Sequence, residues 1–356
     1  MKNNTIPLSL ITLCFAGLCS CASPDTERKE TVKASVNDSA ISPKRDTRVG
    51  MDKYEAWYIN DTSKPSDGSV KITFFGVSSL LLDDGETQLL IDGYFSRYPL
   101  ELTQNSKIAT DTNLVRNYLT NFNMNRVKGM FITHTHWDHA FDAAFVANKT
   151  KTKIYGSLST LNVARGGGVP EKQLSLFQPG RKIYIGKFTV DVLTSKHSPS
   201  ALVDKEQGRI ITKPFAQPAV ATDYVEGGSY DFLISHNGKK IYVKPSANWI
   251  KGKLDHVKSD VLFLGIATLG LQDSAWKATF YDQTVGKLKP ALVIPLHWDN
   301  FFEPVSDTLT LLPPPMDDGI KGFDYMIGKT KADGIDFRIL QGTGSIVLFS
   351  DKARKW

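Results

Sequence analysis

The stretch FITHTHWDHAFD, residues 131–142, places three histidines and two aspartates within twelve positions. The whole chain has 7 histidines, and three of them, His134, His136 and His139, fall in this window. The preceding run VKGMFIT is apolar and typical of a buried strand. Polar and charged side chains gathered after a buried strand are costly to desolvate unless they bind an ion. The pattern therefore predicts a metal site.

The spacing within this window also suits a metal. His134 and His136 are two residues apart, and extended backbone points such side chains to the same side. Asp138 and His139 follow where we expect a helix to begin, and a helix N-terminus favours a carboxylate. Imidazole nitrogens and carboxylate oxygens are zinc ligands when no thiolate is offered, and iron and manganese accept the same donors.

The composition is that of a globular protein, with 356 residues of which 41% are hydrophobic and 22% charged. The formal net charge is +6, without a dense basic run. This mild excess of positive charge does not predict binding to nucleic acid. No internal repeat is apparent, and no protein partner is predicted.

The first residues, MKNNTIPLSLITLCFAGLCSCASPD, combine a basic start, an apolar run and small residues, as a secretory signal does. The string Leu18-Cys19-Ser20-Cys21 resembles the bacterial lipobox, whose last cysteine receives a lipid. This resemblance implies a signal peptide over residues 1–20 and a lipoprotein anchored through Cys21, with Ala22 favouring the outer membrane facing the periplasm. An ordinary signal peptide cut near Ala22 is the alternative.

The mature chain is then expected to have two parts. Residues 21–50 are polar and predict a flexible tether. Residues 51–356 predict a single folded domain. All 3 cysteines precede this domain, so we expect it to contain no disulfide and no cysteine ligand.

Short apolar strands alternate with helical stretches from residue 70 onward, which predicts an α/β fold with helices covering sheets. Asp84-Gly85 and Asn237-Gly238 are turn signals between strands. His197 and His297 each follow an apolar run. A lone histidine at a strand end is more often structural than a ligand, so the residues alone leave both open. The other two histidines, His236 and His256, are expected at the surface.

The segment HTHWDH resembles the His-x-His-x-Asp-His signature of the metallo-β-lactamase superfamily. Over residues 69–350 three further residues match that family's pattern in order: Asp92 in LLIDG, His197 in SKHS and His297 in IPLHWD. The resemblance implies an αββα sandwich of two mixed β-sheets flanked by helices, with the active site at one edge.

The resemblance also implies a ligand set. One zinc ion would be held by His134, His136 and His197, and a second by Asp138, His139 and His297. Asp92 would not bind an ion but would accept a hydrogen bond beside a ligating histidine.

One departure from the family pattern concerns the number of ions. Many hydrolases of the superfamily bridge the two ions with an aspartate, whereas here the corresponding strand ends in Pro245-Ser246, and Ser246 takes that place. A single ion is one consequence. Two ions are favoured, because true metallo-β-lactamases also lack the bridge, and one of their subclasses combines an Asp-His-His set with serine at this turn. Iron or manganese remain alternatives to zinc.

The expected function is hydrolysis of an ester, lactone, amide or phosphodiester bond in the cell envelope by a metal-bound hydroxide that Asp138 orients. A small molecule or lipid is the expected substrate. The alternative is a non-catalytic envelope lipoprotein of the same fold that binds metal or a ligand. The candidate pocket residues are Trp137, Trp298, Tyr94 and Asn248, and the long segment 198–230 could cover the pocket.

Overall fold

Two mixed β-sheets of seven strands each form the fold. The computed structural model describes residues 50–206 and 208–350. The predicted signal peptide, Cys21 and all of the predicted tether except Gly50 lie outside these residues.

In chain order the strands are β1 (Val70–Phe74), β2 (Leu80–Asp83), β3 (Gln88–Ile91), β4 (Val127–Phe131), β5 (Lys153–Gly156), β6 (Leu174–Leu176), β7 (Lys182–Ile185), β8 (Phe188–Thr194), β9 (Tyr230–His236), β10 (Lys239–Lys244), β11 (Val261–Gly265), β12 (Leu292–Leu296), β13 (Asp336–Phe337) and β14 (Ser345–Leu348). The helices are α1 (Leu100–Asn105), α2 (Thr112–Asn121), α3 (Trp137–Ala140), α4 (Ala143–Thr150), α5 (Leu158–Gly166), α6 (Ala201–Glu206), α7 (Ser274–Gln283), α8 (Val285–Leu288) and α9 (Gly319–Ala332). Short 3-10 turns cover Asp52–Trp57, Glu171–Gln173, Ala221–Asp223 and Leu269–Leu271.

The two sheets have the same internal plan. The first has the strand order β14-β1-β2-β3-β4-β5-β6, and the second has the order β13-β12-β11-β10-β9-β8-β7. In the first sheet the pairings from β3 to β6 are parallel, and the others are antiparallel. In the second, the pairings from β10 to β13 are parallel. The predicted sandwich of two mixed sheets flanked by helices is confirmed.

Successive side chains on the strands belong to two different hydrophobic clusters. Ile91 and Phe131 belong to the larger cluster, which joins the two sheets. Their neighbours Leu90 and Met130 belong to the cluster shared with α2, α4 and α5. A parallel strand covered on both faces must be apolar at successive positions, which explains the near-continuous apolar runs in the sequence.

Two helical stretches of the chain are interrupted. The stretch 138–149 contains the end of α3 and most of α4, separated at Phe141 and Asp142. The Asp142 carboxylate accepts hydrogen bonds from the backbone N–H groups of Phe95 and Ser96, at 2.8 and 2.7 Å. The stretch 274–288 is likewise divided into α7 and α8 at Thr284. Asp142 thereby joins the helical segment after the histidine motif to the loop after β3.

The expectation that His236 lies at the surface is wrong. Its ring is buried against Phe188, with ring centroids 4.7 Å apart. Its Nε2 lies 3.2 Å from Oδ2 of Asp84, in the turn after β2. This contact ties the β2–β3 turn of one sheet to the β9–β10 hairpin of the other. His256 is exposed, as expected.

Among the helices of residues 50–206 and 208–350, none is both long enough and apolar enough to pass through a lipid bilayer.

Candidate metal centre

The histidine motif lies immediately beyond β4, where the chain leaves the first sheet. His136 precedes the first residue of α3, and Asp138 and His139 occupy that helix's only turn. All of His134, His136, Asp138 and His139 are buried. A short connection after β4 and a four-residue helix therefore bring the motif's side chains into one small region.

His134, His136 and His197 form the first triad, in which the candidate ligand atoms lie within 4.8 Å of one another. Nε2 of His134 is 3.1 Å from Nδ1 of His136. The opposite nitrogen of His136 donates to Glu206, and Nδ1 of His197 donates to the Ser198 carbonyl at 2.8 Å. Because Nε2 of His136 and Nδ1 of His197 carry the protons, the other nitrogen of each ring keeps a free lone pair for the triad.

The electrostatic surroundings keep two of these rings neutral. Burial and the neighbouring imidazoles hold the pKa of His134 well below its ordinary value. The same two causes lower the pKa of His197 to about 3. Both rings therefore have no positive charge at neutral pH, which is the form that binds a metal ion.

Asp138, His139 and His297 form the second triad, again with ligand atoms within 4.8 Å of one another. Oδ2 of Asp138 is 3.2 Å from Nε2 of His297 and 3.5 Å from Nε2 of His139. Burial by itself would raise the pKa of Asp138, but His139 and His297 outweigh it, so the pKa falls below its ordinary value. Asp138 is therefore an ionised carboxylate at neutral pH.

The donor set fits metal ions. Nε2 of His139 is fully buried, yet within the described ranges it has no hydrogen-bond partner. A buried nitrogen without a partner is costly, and an ion at this point would satisfy it. Each triad offers three nitrogen or oxygen donors, and three protein ligands with one open position are typical of catalytic zinc.

Asp92 holds His139 in the orientation that a ligand needs. Its Oδ2 accepts a hydrogen bond from Nδ1 of His139 at 2.9 Å and from Oγ of Ser78 at 2.6 Å. Its Oδ1 accepts from the backbone N–H of Thr133 at 2.7 Å. With Nδ1 protonated, Nε2 of His139 keeps its lone pair toward Asp138. This is the position beside a histidine that the family resemblance implied for Asp92.

The substitution Asp92→Asn is expected to weaken the second triad. An asparagine NH2 at the Oδ2 position cannot accept from His139, so the ring shifts its proton to Nε2, and the affinity for one ion falls by about 10–100-fold. Competition with a chelator measures this affinity. Asp84→Asn alters the buried contact with His236, outside both triads, and serves as the control, with unchanged metal affinity. Equal affinities of Asp92→Asn and the unsubstituted chain would contradict this role.

Three residues at this edge of the fold have left-handed backbone although none is glycine. They are Val77, Asp92 and His297, with φ of 53°, 52° and 55°. Such residues cost on the order of 1–3 kcal/mol each and occur mostly at functional sites. The backbone N–H of His297 donates to the Val77 carbonyl at 2.7 Å, so a hydrogen bond joins two of these strained residues.

A buried ion pair supports the loop that carries His297. A guanidinium nitrogen of Arg97 lies 2.8 Å from Oδ2 of Asp299, and both side chains are fully buried. Oδ1 of Asp299 accepts from the Val77 N–H at 2.7 Å. Gly76 has a φ of 84°, and a Cβ there would collide with Arg97. Neither residue of this pair was identified from the sequence. Asp299 had a weak signal, an acidic residue two positions after a candidate ligand, and Arg97 had none.

The structure corrects the proposed pocket residues. Trp298 is only 1% exposed and packs on Phe323 in the larger core, so its assignment to the pocket is wrong. Tyr94 is fully buried, and its hydroxyl donates to the Phe301 carbonyl at 3.3 Å. Nδ2 of Asn248 donates to the His197 carbonyl at 2.6 Å. Tyr94 and Asn248 therefore use these polar groups to position neighbouring backbone.

Trp137 and Ser246 lie close to the site. Trp137 is nearly buried and contacts Phe301 and Phe302, with ring centroids 5.9 and 5.8 Å apart. Ser246 is buried in the turn after β10, and the next residue's N–H donates to Oγ of Ser198, beside His197. Neither triad of the described residues includes a carboxylate from this turn.

Much of the long segment 198–230 is hydrogen-bonded to neighbouring elements. The N–H of Ile211 donates to Oγ of Ser159 at 2.9 Å, and that of Phe215 to the Asn162 carbonyl at 2.9 Å. Ala219 pairs with Ile108 as an isolated bridge. This part of the segment is attached to α5 and to the chain after α1. Glu206, at the end of α6, contacts the metal centre itself and was not identified from the sequence.

The fold and the paired triads define a class of protein, in which a two-sheet sandwich holds a buried metal centre at its edge. Residues 72–226 match the Metallo-beta-lactamase superfamily. A UPF0173 metal-dependent hydrolase of Heliobacterium modesticaldum is 22% identical over 65% of this chain and 83% of its own length.

Two solved structures share the fold. Igni18, a metallo hydrolase from Ignicoccus hospitalis, is 16% identical and matches 80% of this chain and all of its own, with a TM-score of 0.51. CmlA, a diiron β-hydroxylase from Streptomyces venezuelae, is 14% identical and matches 80% of this chain and 54% of its own, also with a TM-score of 0.51. Over residues 72–226 the chain is thus similar to the metallo-β-lactamase superfamily, and the curated relatives that it matches are metal-dependent hydrolases.

Proposed function

We propose that this protein is a zinc-dependent hydrolase that holds two ions and cleaves an ester, lactone, amide or phosphodiester bond of a small molecule or lipid in the bacterial cell envelope. The observation that carries the proposal is the convergence of two separate triads, each with its ligand atoms within 4.8 Å. Neutral imidazoles and an ionised carboxylate are the donors that such ions require.

The identity and number of the ions belong to the proposal. Two complete triads favour two ions over one, even though Ser246 stands where a bridging aspartate is common. The donor set of nitrogen and oxygen suits zinc, and it also suits iron or manganese. CmlA contains iron in a similar fold, so the fold does not determine the metal.

The side chains of this protein have distinct parts in the proposed reaction. When bound, the zinc ions would supply a nucleophile from water near neutral pH and polarise the bond to be cleaved. Asp138 would hold one ion and accept a hydrogen bond that orients the attacking water. Asp92 keeps His139 in the correct tautomer through its 2.9 Å hydrogen bond. No other nucleophile is required.

An aromatic surface beside the second triad supports an apolar substrate. The Phe301 ring lies 5.5 Å from the His297 ring, and it packs against Phe302 at 4.6 Å. Phe301 and Phe302 are both partly exposed, and Trp137 supports them from beneath. An acyl chain or ring next to the scissile bond would bury apolar area against this surface, which favours esters and lactones among the four bond classes and a lipid as the substrate.

The envelope location rests on the N-terminal sequence alone. A signal peptide over residues 1–20 and a lipid on Cys21 would anchor the enzyme to the outer membrane on its periplasmic side. The substrate would then be a lipid of that membrane or a small molecule that reaches the envelope.

The metal content of the full-length chain tests the proposal. We expect two zinc ions per chain by mass spectrometry after expression without added metal, and hydrolysis of at least one member of a panel of p-nitrophenyl esters, lactones, β-lactams and phosphodiesters. Removing the ions should abolish hydrolysis, and adding zinc should restore it. The exposed His256→Ala variant serves as the control and should keep both ions. A folded chain without bound metal, or hydrolysis that survives metal removal, would refute the proposal.

A further inference from the structure

A second carboxylate contacts the metal centre from outside the histidine motif. Oε1 and Oε2 of Glu206 lie 3.0 and 3.3 Å from Nε2 of His136. Each of the two side chains is 5% exposed. A carboxylate can only accept, so the Nε2 of His136 carries the proton and donates to Glu206. The Nδ1 of His136, which faces His134, is then the nitrogen with a free lone pair.

The position of Glu206 is fixed by a neighbouring part of the same segment. Oε2 of Glu206 also accepts from the backbone N–H of Glu226, at 2.8 Å. The Glu226 carbonyl in turn accepts from the N–H of Thr135, at 2.8 Å. Thr135 lies between His134 and His136, so these hydrogen bonds form a closed path from the motif through the segment and back to the motif.

We propose that Glu206 is a positioning residue of the metal centre, which fixes His136 in the tautomer and orientation that present Nδ1 to the ion of the first triad. This inference rests on the proposed function, because it assigns Glu206 a role toward the proposed ion. Carboxylate–histidine–metal arrangements orient the ring and strengthen it as a donor.

The two triads are then supported by different parts of the chain. Asp92, directly after β3, supports His139 of the second triad. Glu206, at the end of α6, supports His136 of the first triad. The first ion therefore depends on a segment far from the motif in sequence, and a change in that segment would alter its affinity.

Zinc and cobalt binding to the full-length chain test this role. Glu206→Ala should lower the affinity for one of the two ions by about 10–100-fold in chelator competition and alter the visible absorption spectrum of bound Co2+. Glu206→Gln has one acceptor oxygen for two donors, His136 and the Glu226 N–H, so its affinity should lie between those of Glu206→Ala and the unsubstituted chain. Ser229→Ala is the matched control, since it removes the 2.7 Å hydrogen bond to Glu226 in the same segment without touching His136.

The outcomes separate this inference from the proposed function. If the unsubstituted chain binds no metal, the proposed function itself fails. If it binds two ions and Glu206→Ala matches it in affinity and Co2+ spectrum, only the role of Glu206 is overturned. An equal loss in Ser229→Ala, or an affinity of Glu206→Gln no higher than that of Glu206→Ala, would also overturn the role, because the effect would then not come from the acceptor at His136.

Discussion

Replacement of His136 by alanine is expected to abolish hydrolysis while leaving the chain folded. The substitution removes a donor from the first triad and leaves His134 and His197 as an incomplete set. A catalytic ion contributes several kcal/mol to the stabilisation of the transition state, so kcat/KM should fall by at least about 1000-fold. The measurements are the hydrolysis of the substrate found in the panel and the metal content of the same preparation.

The folded state of His136→Ala must be established separately. Circular dichroism should resemble that of the unsubstituted chain, since His136 lies outside both hydrophobic clusters. Thermal unfolding should stay cooperative but occur at a lower temperature, because the buried Glu206 loses its hydrogen-bond donor. His256→Ala should keep full activity, because His256 is exposed and belongs to neither triad. A folded His136→Ala chain that still hydrolyses the substrate would refute the metal mechanism.

The largest effect on stability is expected from Asp299→Ala. It would leave the Arg97 guanidinium buried without its carboxylate partner. Breaking a buried ion pair in this way typically costs about 3–5 kcal/mol in the free energy of unfolding. The loop that carries His297 would also lose the hydrogen bond from Val77 to Asp299. Urea unfolding measures the loss of stability.

An exposed ion pair provides the comparison. Glu86 contacts Lys187 at 2.9 Å, and the Glu86 side chain is 69% exposed. Because water screens such pairs, Glu86→Ala should change the free energy of unfolding by less than about 1 kcal/mol. If Asp299→Ala lowered the free energy of unfolding no more than Glu86→Ala does, the buried pair would not support the loop of His297 as inferred.

The sequence predicted most of what depends on local pattern. The spacing of His134, His136 and His139 indicated a metal site because residues that follow a buried strand at short intervals remain close in space. Apolar runs that alternate with helical stretches indicated sheets covered by helices, since each buried strand must present apolar side chains to its neighbours. The arrangement as a sandwich of two sheets came from the family resemblance. Turn signals such as Asn237-Gly238 marked the β9–β10 hairpin correctly.

Predictions that depended on burial were less successful. Trp298 was placed at the pocket because it follows a candidate ligand, but its ring points into the core beside Phe323. His236 was placed at the surface because it precedes a polar turn, but it is buried and contacts Asp84. In each case the local sequence could not reveal which face of a strand or turn the other sheet covers.

The sequence by itself determined the class of fold, the four motif residues and, through the family pattern, Asp92, His197 and His297 as further members of the site. Only the tertiary structure showed that Glu206 contacts His136, that His139 is the histidine beside Asp92, and that the Arg97–Asp299 pair supports the loop of His297. The physical reason is that hydrogen bonds and ion pairs form between groups that are close in space. Glu206 and Arg97 are far along the chain from their partners, and no local periodicity records such contacts.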